Sequence, residues 1–423
     1  MRRAYTLLLY LLLPLVLLRL LWRGLRAPTY WRRWPERFGF VSLLPTAAPV
    51  IWLHAVSVGE VQAAAPLVRA LMVRYSGHHF VLTTMTPTGA EQVLSSFGQD
   101  VTHYYVPYDL PGAVQRFLTR IHPVAAIIME TELWPNIFQG CHEHSIPLLL
   151  VNVRLSARSA AGYHRIRRLA VGMLSQVRAI AVQTQADAER IKALGVEAAR
   201  VRVTGSIKFD VNTPASLREE AAVLRRSLGT ERAVWIAAST REGEESMILE
   251  AYASVRRSLP QSLLVLVPRH PERFAKVAAM CRKHGFNTQL RSEGLPCDIS
   301  TEVFVGDSMG ELALLYAAAD VAFVGGSLVP TGGHNMIEPA ALGLPVMFGP
   351  HVFNFEEAGR LLCEAGAAVQ VQNTEQLATA ALTYLTDANL RHTLGEKGKQ
   401  LVQQNRGALG KVMDMVAEAI PVP

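Results

Sequence analysis

Short apolar runs alternate with amphipathic segments along most of the chain after residue 49. The first runs are rich in Val, Ile and Leu and poor in charge, and they lie at residues 50–56, 79–85, 124–130, 147–153 and 179–184. Between them, apolar residues recur with helical spacing in segments such as 61–75 and 166–177. Continuous apolar strands separated by helices predict a parallel sheet that is covered on both faces.

A second series of apolar runs follows, at residues 233–240, 262–270, 303–307, 321–327 and 345–350. Helical patterns separate these runs at residues 242–257, 311–319 and 336–342. Turn residues are frequent in the segment 204–214, which indicates a linker. The pattern predicts two facing Rossmann-like α/β domains, at residues 28–207 and 208–423, after a separate segment at residues 1–27. Because ligands bind at the carboxyl ends of such strands, we expect the ligand site in a cleft between the domains.

Length and composition agree with this organisation. Of the 423 residues, 50% are hydrophobic and 18% are charged, which is typical of a globular chain with two domains. The four cysteines are scattered and form no C-x-x-C motif. A disulfide framework is therefore not expected, and a reducing compartment fits.

Positive charge is concentrated at the amino terminus. Residues 1–40 contain eight arginines and one acid, Glu36, which accounts for the whole net charge of +7. Because a nucleic-acid-binding protein would spread its excess charge over a folded face, nucleic acid is not expected as a partner. The arginines instead flank an apolar run at residues 4–22. As a helix this run would extend about 28 Å, near the thickness of the hydrocarbon core of a bilayer.

The apolar run at residues 4–22 predicts a membrane anchor. The residues after it are bulky and basic and offer no cleavage site of small residues, so we expect an uncleaved anchor and not a signal peptide. More arginines follow the run than precede it, which predicts that the body of the protein faces the cytoplasm. Pro14 and Arg19 interrupt the run, and a helix that lies in the membrane interface is the alternative to one that spans the bilayer.

Residues 325–350 carry the most specific pattern. Gly332 and Gly333 allow the backbone to approach a ligand closely. The helix predicted to begin near His334 or Asn335 would point free backbone N–H groups at an anion such as a phosphate. Glu338, one turn into this helix, could accept hydrogen bonds from ribose hydroxyls. The alternative is a glycine-rich turn before an ordinary core helix.

Charged residues also follow a strand of the second series. Arg269 and His270 lie directly after the strand, between Pro268 and Pro271. A rigid, charged strand end suits an anion, and an arginine can form paired hydrogen bonds to phosphate. This segment is therefore a second candidate for contact with a phosphorylated ligand.

A third strand end, after residues 303–307, has two interpretations. Met309 and Gly310 could present backbone groups to a nucleotide base. Ser308 and Glu311 have the spacing of a helix capping box, in which Glu311 would only satisfy backbone amides.

Metal ligands are not evident in the sequence. The chain contains no Asp-x-Asp motif, which is the compact carboxylate pair that holds a divalent metal on a diphosphate. Cys141, His142 and His144 lie close together, but they would not share one face of a helix. We therefore expect no metal site.

Six motifs follow the basic-flanked anchor in the order HAVSVGEV, ETELWPN, GSIKFD, PRHPERF, GDSMGEL and TGGHNMIEPAALGLPVMFGP. Over essentially the whole chain the sequence resembles the 3-deoxy-D-manno-octulosonic acid (Kdo) transferases of Gram-negative bacteria. The resemblance implies a GT-B glycosyltransferase fold. It also implies inverting transfer of Kdo from CMP-Kdo to lipid IVA, the tetraacyl lipid A precursor, with no metal or other cofactor. The resemblance places this reaction at the inner face of the cytoplasmic membrane, which is the inner membrane of the cell.

The resemblance also implies roles for individual residues. Glu60 would be the catalytic base, and Glu130 and Lys208 would support the transition state. The residues that would contact CMP are Pro268, Arg269, Met309, Gly310, Glu311, Asn335, Met336, Ile337 and Glu338.

The local sequence permits these catalytic roles without requiring them. Glu60 lies at the start of the helix predicted at 61–75, where the helix dipole would stabilise its carboxylate, yet acids are common in first helical turns. Glu130 ends a predicted strand, but Glu132, two residues later, is an equally suitable candidate. Lys208 falls in the predicted linker, where a solvated lysine without a role is the alternative.

Residues 153–177 combine arginines with one apolar helical face. The apolar positions are Ile166, Leu169, Ala170, Met173, Leu174 and Val177. We hypothesise that the basic end, with Arg165, Arg167 and Arg168, contacts anionic lipid headgroups. A core helix with a solvated basic face is the alternative.

Two other functions fit the same architecture. One is a membrane glycosyltransferase that uses a UDP-sugar, and the other is a membrane scaffold that binds nucleotide without catalysis. Comparing the affinities for CMP and UDP distinguishes the UDP-sugar transferase from a transferase that uses CMP-Kdo. A turnover assay distinguishes the scaffold from an enzyme.

Overall fold

The computed structural model describes residues 1–26, 28–44, 46–211, 214 and 216–420. They form two compact units, of which unit 1 contains Met1–Asp210 and the chain from Arg406, and unit 2 contains Val211–Asn405. Residue 27 of the predicted anchor segment and residues 212 and 213 of the predicted linker lie outside the described residues.

Unit 1 is built on a seven-stranded sheet in the order β3-β2-β1-β4-β5-β6-β7, in which the described strand pairs are parallel. The strands are β1 (Val50–His54), β2 (His79–Thr84), β3 (Val101–Tyr105), β4 (Pro123–Met129), β5 (Leu148–Val153), β6 (Ala179–Val182) and β7 (Val201–Val203). The helices are α1 (Arg2–Arg26), α2 (Val58–Arg74), α3 (Pro87–Phe97), α4 (Pro111–Ile121), α5 (Pro135–Glu143), α6 (Ala157–Arg165), α7 (Arg167–Leu174) and α8 (Gln185–Ala193).

The sheet of unit 1 buries apolar side chains on both faces, as its continuous apolar strands predict. Along β1, Trp52 points into one core, where its ring lies 5.1 Å from that of Phe117. Leu53 points into the opposite core with Leu67 of α2. Alternation of side chains along a strand explains why neighbouring residues supply different cores.

Unit 2 repeats the parallel architecture in the order β10-β11-β9-β8-β12-β13-β14. Its strands are β8 (Val234–Thr240), β9 (Leu263–Pro268), β10 (Thr288–Leu290), β11 (Val303–Val305), β12 (Val321–Val324), β13 (Val346–Phe348) and β14 (Ala368–Gln370). Its helices are α9 (Leu217–Leu228), α10 (Glu244–Ser258), α11 (Phe274–Lys283), α12 (Leu312–Ala317), α13 (Ile337–Leu342), α14 (Glu356–Glu364), α15 (Thr374–Thr386) and α16 (Ala388–Gln404).

The ten predicted apolar runs correspond to the ten inner strands of the two sheets. The four strands without a predicted counterpart, β3, β7, β10 and β14, lie at the sheet edges. Three of them, β7, β10 and β14, have only three residues, and of these nine residues only Val201 is buried. Edge strands need not be apolar on both faces, so hydrophobic patterning identifies them poorly.

The end of the chain corrects the sequence-based division, which assigned residues 208–423 to one domain. Helix α17 (Ala408–Ala419) packs with α2 in unit 1, where Val412 and Val416 join the core of Leu67. Asp210 fixes the entry of this helix, because its carboxylate accepts the backbone N–H groups of Gly407 at 2.7 Å and Leu409 at 2.6 Å. A long return of the chain between two units cannot be read from local pattern.

Among the described residues, one helix is long and apolar enough to cross a membrane, and it is α1. Its side chains are largely exposed, including Leu11 and Leu15. Near its start, the Thr6 hydroxyl donates a 3.1 Å hydrogen bond to Oδ1 of Asn136 in α5. The first turns of α1 therefore lie against α5.

The packing of α17 generates a test of unit 1. Met415 is 2% exposed, so the substitution Met415→Ala leaves a cavity, and we expect unit 1 to lose about 2–5 kcal/mol of unfolding free energy. Hydrogen exchange of the amides of α2 under increasing urea measures the loss. The exposed Lys411, changed to alanine, is the control and should stay within about 0.5 kcal/mol. Equal effects of the two changes would contradict this packing.

Candidate active site

Glu60 lies where β1 gives way to α2, and it forms three hydrogen bonds, two through its carboxylate and one through its backbone N–H. Ser57 is the N-cap residue of α2, and its hydroxyl accepts the Glu60 N–H at 3.4 Å. The Glu60 carboxylate accepts the Ser57 hydroxyl at 3.2 Å and the Val56 backbone N–H at 2.8 Å. The helix begins at Val58, earlier than predicted, so Glu60 is its third residue and closes a capping arrangement.

The pKa of Glu60 corrects the expectation that the helix start keeps this carboxylate ionised. The pKa of Glu60 is raised to about 8, mainly by burial and also by the charges of Glu130 and Glu132. The hydrogen bonds from Val56 and Ser57 lower this pKa but do not offset the burial. Desolvation of the charged form outweighs the dipole and the capping bonds, so Glu60 takes up or releases a proton near neutral pH.

Glu130 and Lys208 form an ion pair in unit 1. Glu130 follows β4 in a left-handed conformation with a φ of 56°, and its N–H donates to the Val151 carbonyl at 2.9 Å. Its carboxylate lies 3.4 Å from Nζ of Lys208. A non-glycine residue at positive φ is uncommon, and such strain clusters at functional sites. The structure therefore brings together two of the three residues for which the sequence predicted catalytic roles.

Lys208 is not a solvated linker residue, so that alternative is wrong. It lies in a short 3-10 helix, Ile207–Phe209, whose Ile207 and Phe209 side chains are buried in unit 1. Asn152, at a φ of 58°, accepts the Ile207 N–H through its side chain at 3.2 Å. Asn152 thus positions the backbone that carries Lys208. Sequence reasoning did not identify Asn152, because a single Asn inside an apolar strand carries no motif.

Geometry separates Glu130 from Glu132, which the sequence left equivalent. The Trp134 indole N–H donates to the Glu132 carboxylate at 2.7 Å. Burial raises the pKa of Glu132, the indole bond lowers it, and the charge of Glu130 raises it. Glu130 faces a cation, whereas Glu132 is held by a neutral donor. Unit 1 thus places three carboxylates after the carboxyl ends of β1 and β4, and the ammonium group of Lys208 pairs with one of them.

In unit 2, the end of β9 and the start of α13 are close in space. Pro268 ends β9, and the Arg269 N–H donates to the Thr240 carbonyl at 3.1 Å. Burial raises the pKa of Glu338, whereas the Asn335 side chain, which donates to its carboxylate at 3.0 Å, and the charge of Arg269 lower it. The predicted nucleotide-contact residues of these two segments therefore share one electrostatic environment.

The start of α13 differs from the expectation of a helix with free N–H groups. The helix begins at Ile337, has six residues and is preceded by Met336, so it starts later than predicted. The Asn335 side chain accepts the Ile337 N–H at 3.1 Å, so this donor is already satisfied. The side chains of Met336 and Ile337 are buried. An anion here would have to be bound by the preceding glycine loop and by charged side chains more than by the helix dipole.

The segment after β11 resolves the two interpretations of Glu311. Glu311 is the N-cap residue of α12, which excludes the capping box with Ser308, although the Ser308 hydroxyl does donate to its carboxylate. Arg291 holds the same carboxylate with two hydrogen bonds of 3.1 Å and 2.8 Å. Met309 is 64% exposed, and Gly310 has a φ of 84°. The exposed Met309–Gly310 turn is thus followed by a residue, Glu311, whose side chain is held in place by Arg291 and Ser308.

Glu244 fixes the glycine-containing loop after β12. Its buried carboxylate accepts the backbone N–H groups of Gly326 at 2.6 Å, Ser327 at 2.8 Å and Leu328 at 2.8 Å, together with that of Arg241 at 3.0 Å. Sequence reasoning missed Glu244 and Arg241. The segment STREGEE has a charged residue after a strand, as PRHPERF does, and that signal could have identified Arg241.

Comparison with known proteins identifies the family to which the chain belongs. Residues 32–211 match the family described as 3-Deoxy-D-manno-octulosonic-acid transferase (kdotransferase). A 3-deoxy-D-manno-octulosonic acid transferase of Haemophilus influenzae is 42% identical over 417 residues, which cover 98% of this chain and 98% of that protein. This chain belongs to the Kdo transferase family. A relative with the same description from Bordetella pertussis is 39% identical over 434 residues and covers 99% of each chain.

Solved structures support the fold of this Kdo transferase. The crystal structure of Acinetobacter baumannii MurG has 14% sequence identity and a TM-score of 0.56, and it covers 88% of this chain and 99% of that protein. At this identity the likeness concerns the fold alone. Together with the two parallel seven-stranded sheets it confirms the predicted GT-B type of α/β fold.

The raised pKa of Glu60 gives a test that needs no substrate. Between the carboxyl pKa of the unfolded chain and about 8, the folded protein holds a proton on Glu60 that the unfolded chain releases. This contribution to stability is complete at low pH and is lost as pH rises through about 8. We therefore expect the unfolding free energy of the wild type to fall more steeply from pH 5 to pH 8 than that of Glu60→Gln, measured by denaturant titration. Parallel pH profiles would contradict a raised pKa.

Proposed function

We propose that the protein transfers Kdo from CMP-Kdo to a hydroxyl of lipid IVA, with inversion at the transferred carbon and Glu60 as the base. Membership of the Kdo transferase family supports the reaction type. The observation that carries the assignment of Glu60 is its position, because it is a buried carboxyl with a pKa of about 8 beside a Glu130–Lys208 pair. A general base works best when its pKa lies near the operating pH.

In the proposed step, the acceptor hydroxyl attacks the anomeric carbon of Kdo while its proton passes to the Glu60 carboxylate. The bond from that carbon to the CMP phosphate oxygen breaks, and CMP leaves with the electron pair. The Val56 N–H and the Ser57 hydroxyl hold the two carboxylate oxygens, so Glu60 keeps one orientation before and after it takes the proton.

Lys208 supplies positive charge where negative charge develops. An ammonium group held in place by Glu130 and by the Asn152-anchored backbone needs no rearrangement during the reaction. In this proposal Lys208 stabilises the carboxylate of Kdo or the leaving phosphate. Glu130 orients Lys208 and, through its own charge, raises the pKa of Glu60.

Unit 2 binds the nucleotide in this proposal. Pro268, Arg269, Met309, Gly310 and Glu311 follow neighbouring strands of one parallel sheet, whose carboxyl ends are the usual place for a ligand. Asn335, Met336, Ile337 and Glu338 complete the set. Because the side chains of Met336 and Ile337 are buried, they contribute backbone groups and not side chains.

In this proposal the lipid acceptor binds between α1, α5 and α7. A cavity of about 390 Å³ between these helices is lined by cationic Arg2 and Arg168 and by apolar Leu169 and Met173. This combination suits a phosphorylated lipid with acyl chains. The Thr6–Asn136 contact keeps the start of α1 beside α5, so we favour an anchor that lies in the membrane interface over one that spans the bilayer.

Two alternatives remain to be separated by experiment. A UDP-sugar transferase would prefer UDP over CMP, and a scaffold would bind nucleotide without turnover. Equilibrium binding of CMP and UDP to the purified full-length protein, together with mass spectrometry of the lipid product formed with CMP-Kdo generated in situ, distinguishes the three functions.

We expect Glu60→Gln to lower turnover by about 10²- to 10⁴-fold, which is the usual contribution of a general base. Affinity for CMP should be unchanged, because the nucleotide residues lie in unit 2. The kcat/KM of the wild type should rise with pH up to about 8 and then level off, since the ionised form of Glu60 is the active one. Initial rates of Kdo transfer measure both effects.

The exposed Glu189 in α8, changed to glutamine, is the matched control for loss of a carboxylate from unit 1. It should keep the wild-type rate and pH profile. Full turnover by Glu60→Gln, or a wild-type profile without a rise towards pH 8, would contradict the assignment of the base.

A second prediction concerns the membrane. Arg165, Arg167 and Arg168 are exposed at the junction of α6 and α7, where Ile166 is exposed as well and does not belong to the buried helical face predicted for it. Reversing the three charges to glutamate should weaken binding to vesicles with anionic lipid, at about 1 kcal/mol per charge near the surface. Vesicle co-sedimentation at low salt measures the change.

The control reverses Arg74, Arg178 and Lys192, which are exposed elsewhere in unit 1. Equal losses in both triple variants would show that only net charge matters. Unchanged binding and lipid turnover after the Arg165, Arg167 and Arg168 reversal would exclude this surface as the lipid contact.

A further inference from the structure

Arg241 follows β8 and is held between two histidines of neighbouring strand ends. Its Nε donates to Nε2 of His334 at 3.2 Å, and its Nη1 donates to Nε2 of His270. His270 follows β9 and His334 lies in the loop after β12, and β8 lies between these two strands in the sheet. The guanidinium therefore sits at the centre of the carboxyl-end edge of unit 2.

Both histidines orient Arg241 without neutralising it. A guanidinium has only donors, so each contacting imidazole nitrogen must accept, which requires the neutral form of these rings. The pKa of His334 is lowered to about 3, mainly by burial and also by the charges of Arg241 and Arg269. Burial and the charge of Arg241 also lower the pKa of His270, whereas Glu272 raises it. Two neutral rings thus fix the direction of a full positive charge.

Arg273 shows what a structural arginine looks like in the same unit. It forms a two-pronged ion pair with the buried carboxylate of Glu245, with one bond of 3.1 Å. Arg241 has no such pair among the contacts of the described residues. The nearby Glu244 directs its oxygens to the backbone N–H groups of Arg241 and of the loop after β12. The charge of Arg241 is therefore available to an anion.

The loop after β12 packs its own backbone tightly against the ring of His334, which contacts Arg241. Gly326 has a φ of 68°, and a Cβ atom there would lie 2.9 Å from Cδ2 and 3.1 Å from Nε2 of His334. Only glycine fits this approach. Burial lowers the pKa of Arg241, and the positive charge of Arg269 lowers it as well. Like charges brought together in this way are stabilised when an anion joins them.

We propose that Arg241 is a donor-binding residue, whose guanidinium binds the acidic head of the nucleotide-sugar at the carboxyl ends of β8, β9 and β12. This proposal rests on the proposed function of CMP-Kdo binding by unit 2. The head carries two oxyanions close together, the phosphate of CMP and the carboxylate of the 2-keto sugar acid, and both match a guanidinium. His270 and His334 are positioning residues that hold Arg241 in the required orientation.

The role extends to the bond-breaking step. When the bond from the anomeric carbon to the phosphate oxygen breaks, its electron pair stays on the phosphate of CMP, which gains a second negative charge. The Arg241 guanidinium is held in place and forms no ion pair among the described residues, so it can stabilise that charge without moving.

The test uses the full-length protein in detergent and compares cytidine, which has no anionic group, with CMP, which has a phosphate, and CMP-Kdo, which has a phosphate and a carboxylate. Binding of cytidine and of CMP is measured by calorimetry, and the KM for CMP-Kdo generated in situ is measured from lipid product. We expect Arg241→Gln to weaken CMP or CMP-Kdo by on the order of 10- to 100-fold, as for loss of a charge-assisted hydrogen bond, and to leave cytidine binding unchanged. The exposed Arg257 in α10, changed to glutamine, is the control for loss of a positive charge and should behave as wild type.

The changes in CMP affinity and in the KM for CMP-Kdo, taken together, identify which oxyanion Arg241 binds. Weaker CMP and weaker CMP-Kdo indicate the phosphate, and unchanged CMP with a higher KM for CMP-Kdo indicates the carboxylate. Arg241→Lys retains the charge and should recover a large part of the lost affinity. This variant also covers the case in which Arg241→Gln does not fold, since its ratio of CMP to cytidine affinity should stay near that of the wild type.

Two results would overturn the proposal. One is unchanged affinity for all three ligands in Arg241→Gln. The other is a proportional loss of cytidine and CMP affinity in both variants together with a lower thermal midpoint, which would make Arg241 a structural residue. Failure of the wild type itself to bind cytidine or CMP would count against the proposed function, so the two failures are distinguishable.

Discussion

Parallel pairing within each sheet is the constraint on which the candidate site depends. Strands that run in one direction bring all their carboxyl ends to one edge, and the residues after those ends are loops and helix starts. Glu60 and Glu130 are neighbours in unit 1 because β1 pairs with β4. Arg241 and Arg269 are neighbours in unit 2 because β8 pairs with β9. The chemistry of each unit is thus a consequence of its strand order.

Burial at these edges changes what the side chains can do. The Glu60 carboxylate accepts two hydrogen bonds within its capping arrangement, a setting that normally favours the ionised form, yet its pKa rises to about 8. Removal from water and two neighbouring carboxylates outweigh the favourable bonds. The same trade-off keeps His334 neutral beside Arg241. A cation that is oriented by neutral partners, and an acid that titrates near neutral pH, are both products of desolvation.

Strained backbone marks the same edges. Glu130 and Asn152 in unit 1 and Ser239 in unit 2 have φ values of 56°, 58° and 58°, and all three lie at or near the ends of inner strands. Residues other than glycine adopt this region at an energetic cost, so the surrounding packing must enforce it. In unit 1 the result is visible, because Glu130 reaches Lys208 and Asn152 reaches the amide of Ile207. The strain directs side chains that would otherwise follow the alternation of the strand.

The sequence by itself determined the inner strands, the apolar amino-terminal helix, the family and the residue types available for chemistry. These are local or ordered signals, since apolar runs and motifs need no knowledge of distant contacts. Tertiary structure alone decided the edge strands, the return of α17 to unit 1, the Glu130–Lys208 pair, the pKa of Glu60 and the orientation of Arg241. Each of these depends on which distant segments pack together and on how much water they exclude, and neither quantity is encoded in any short stretch of the chain.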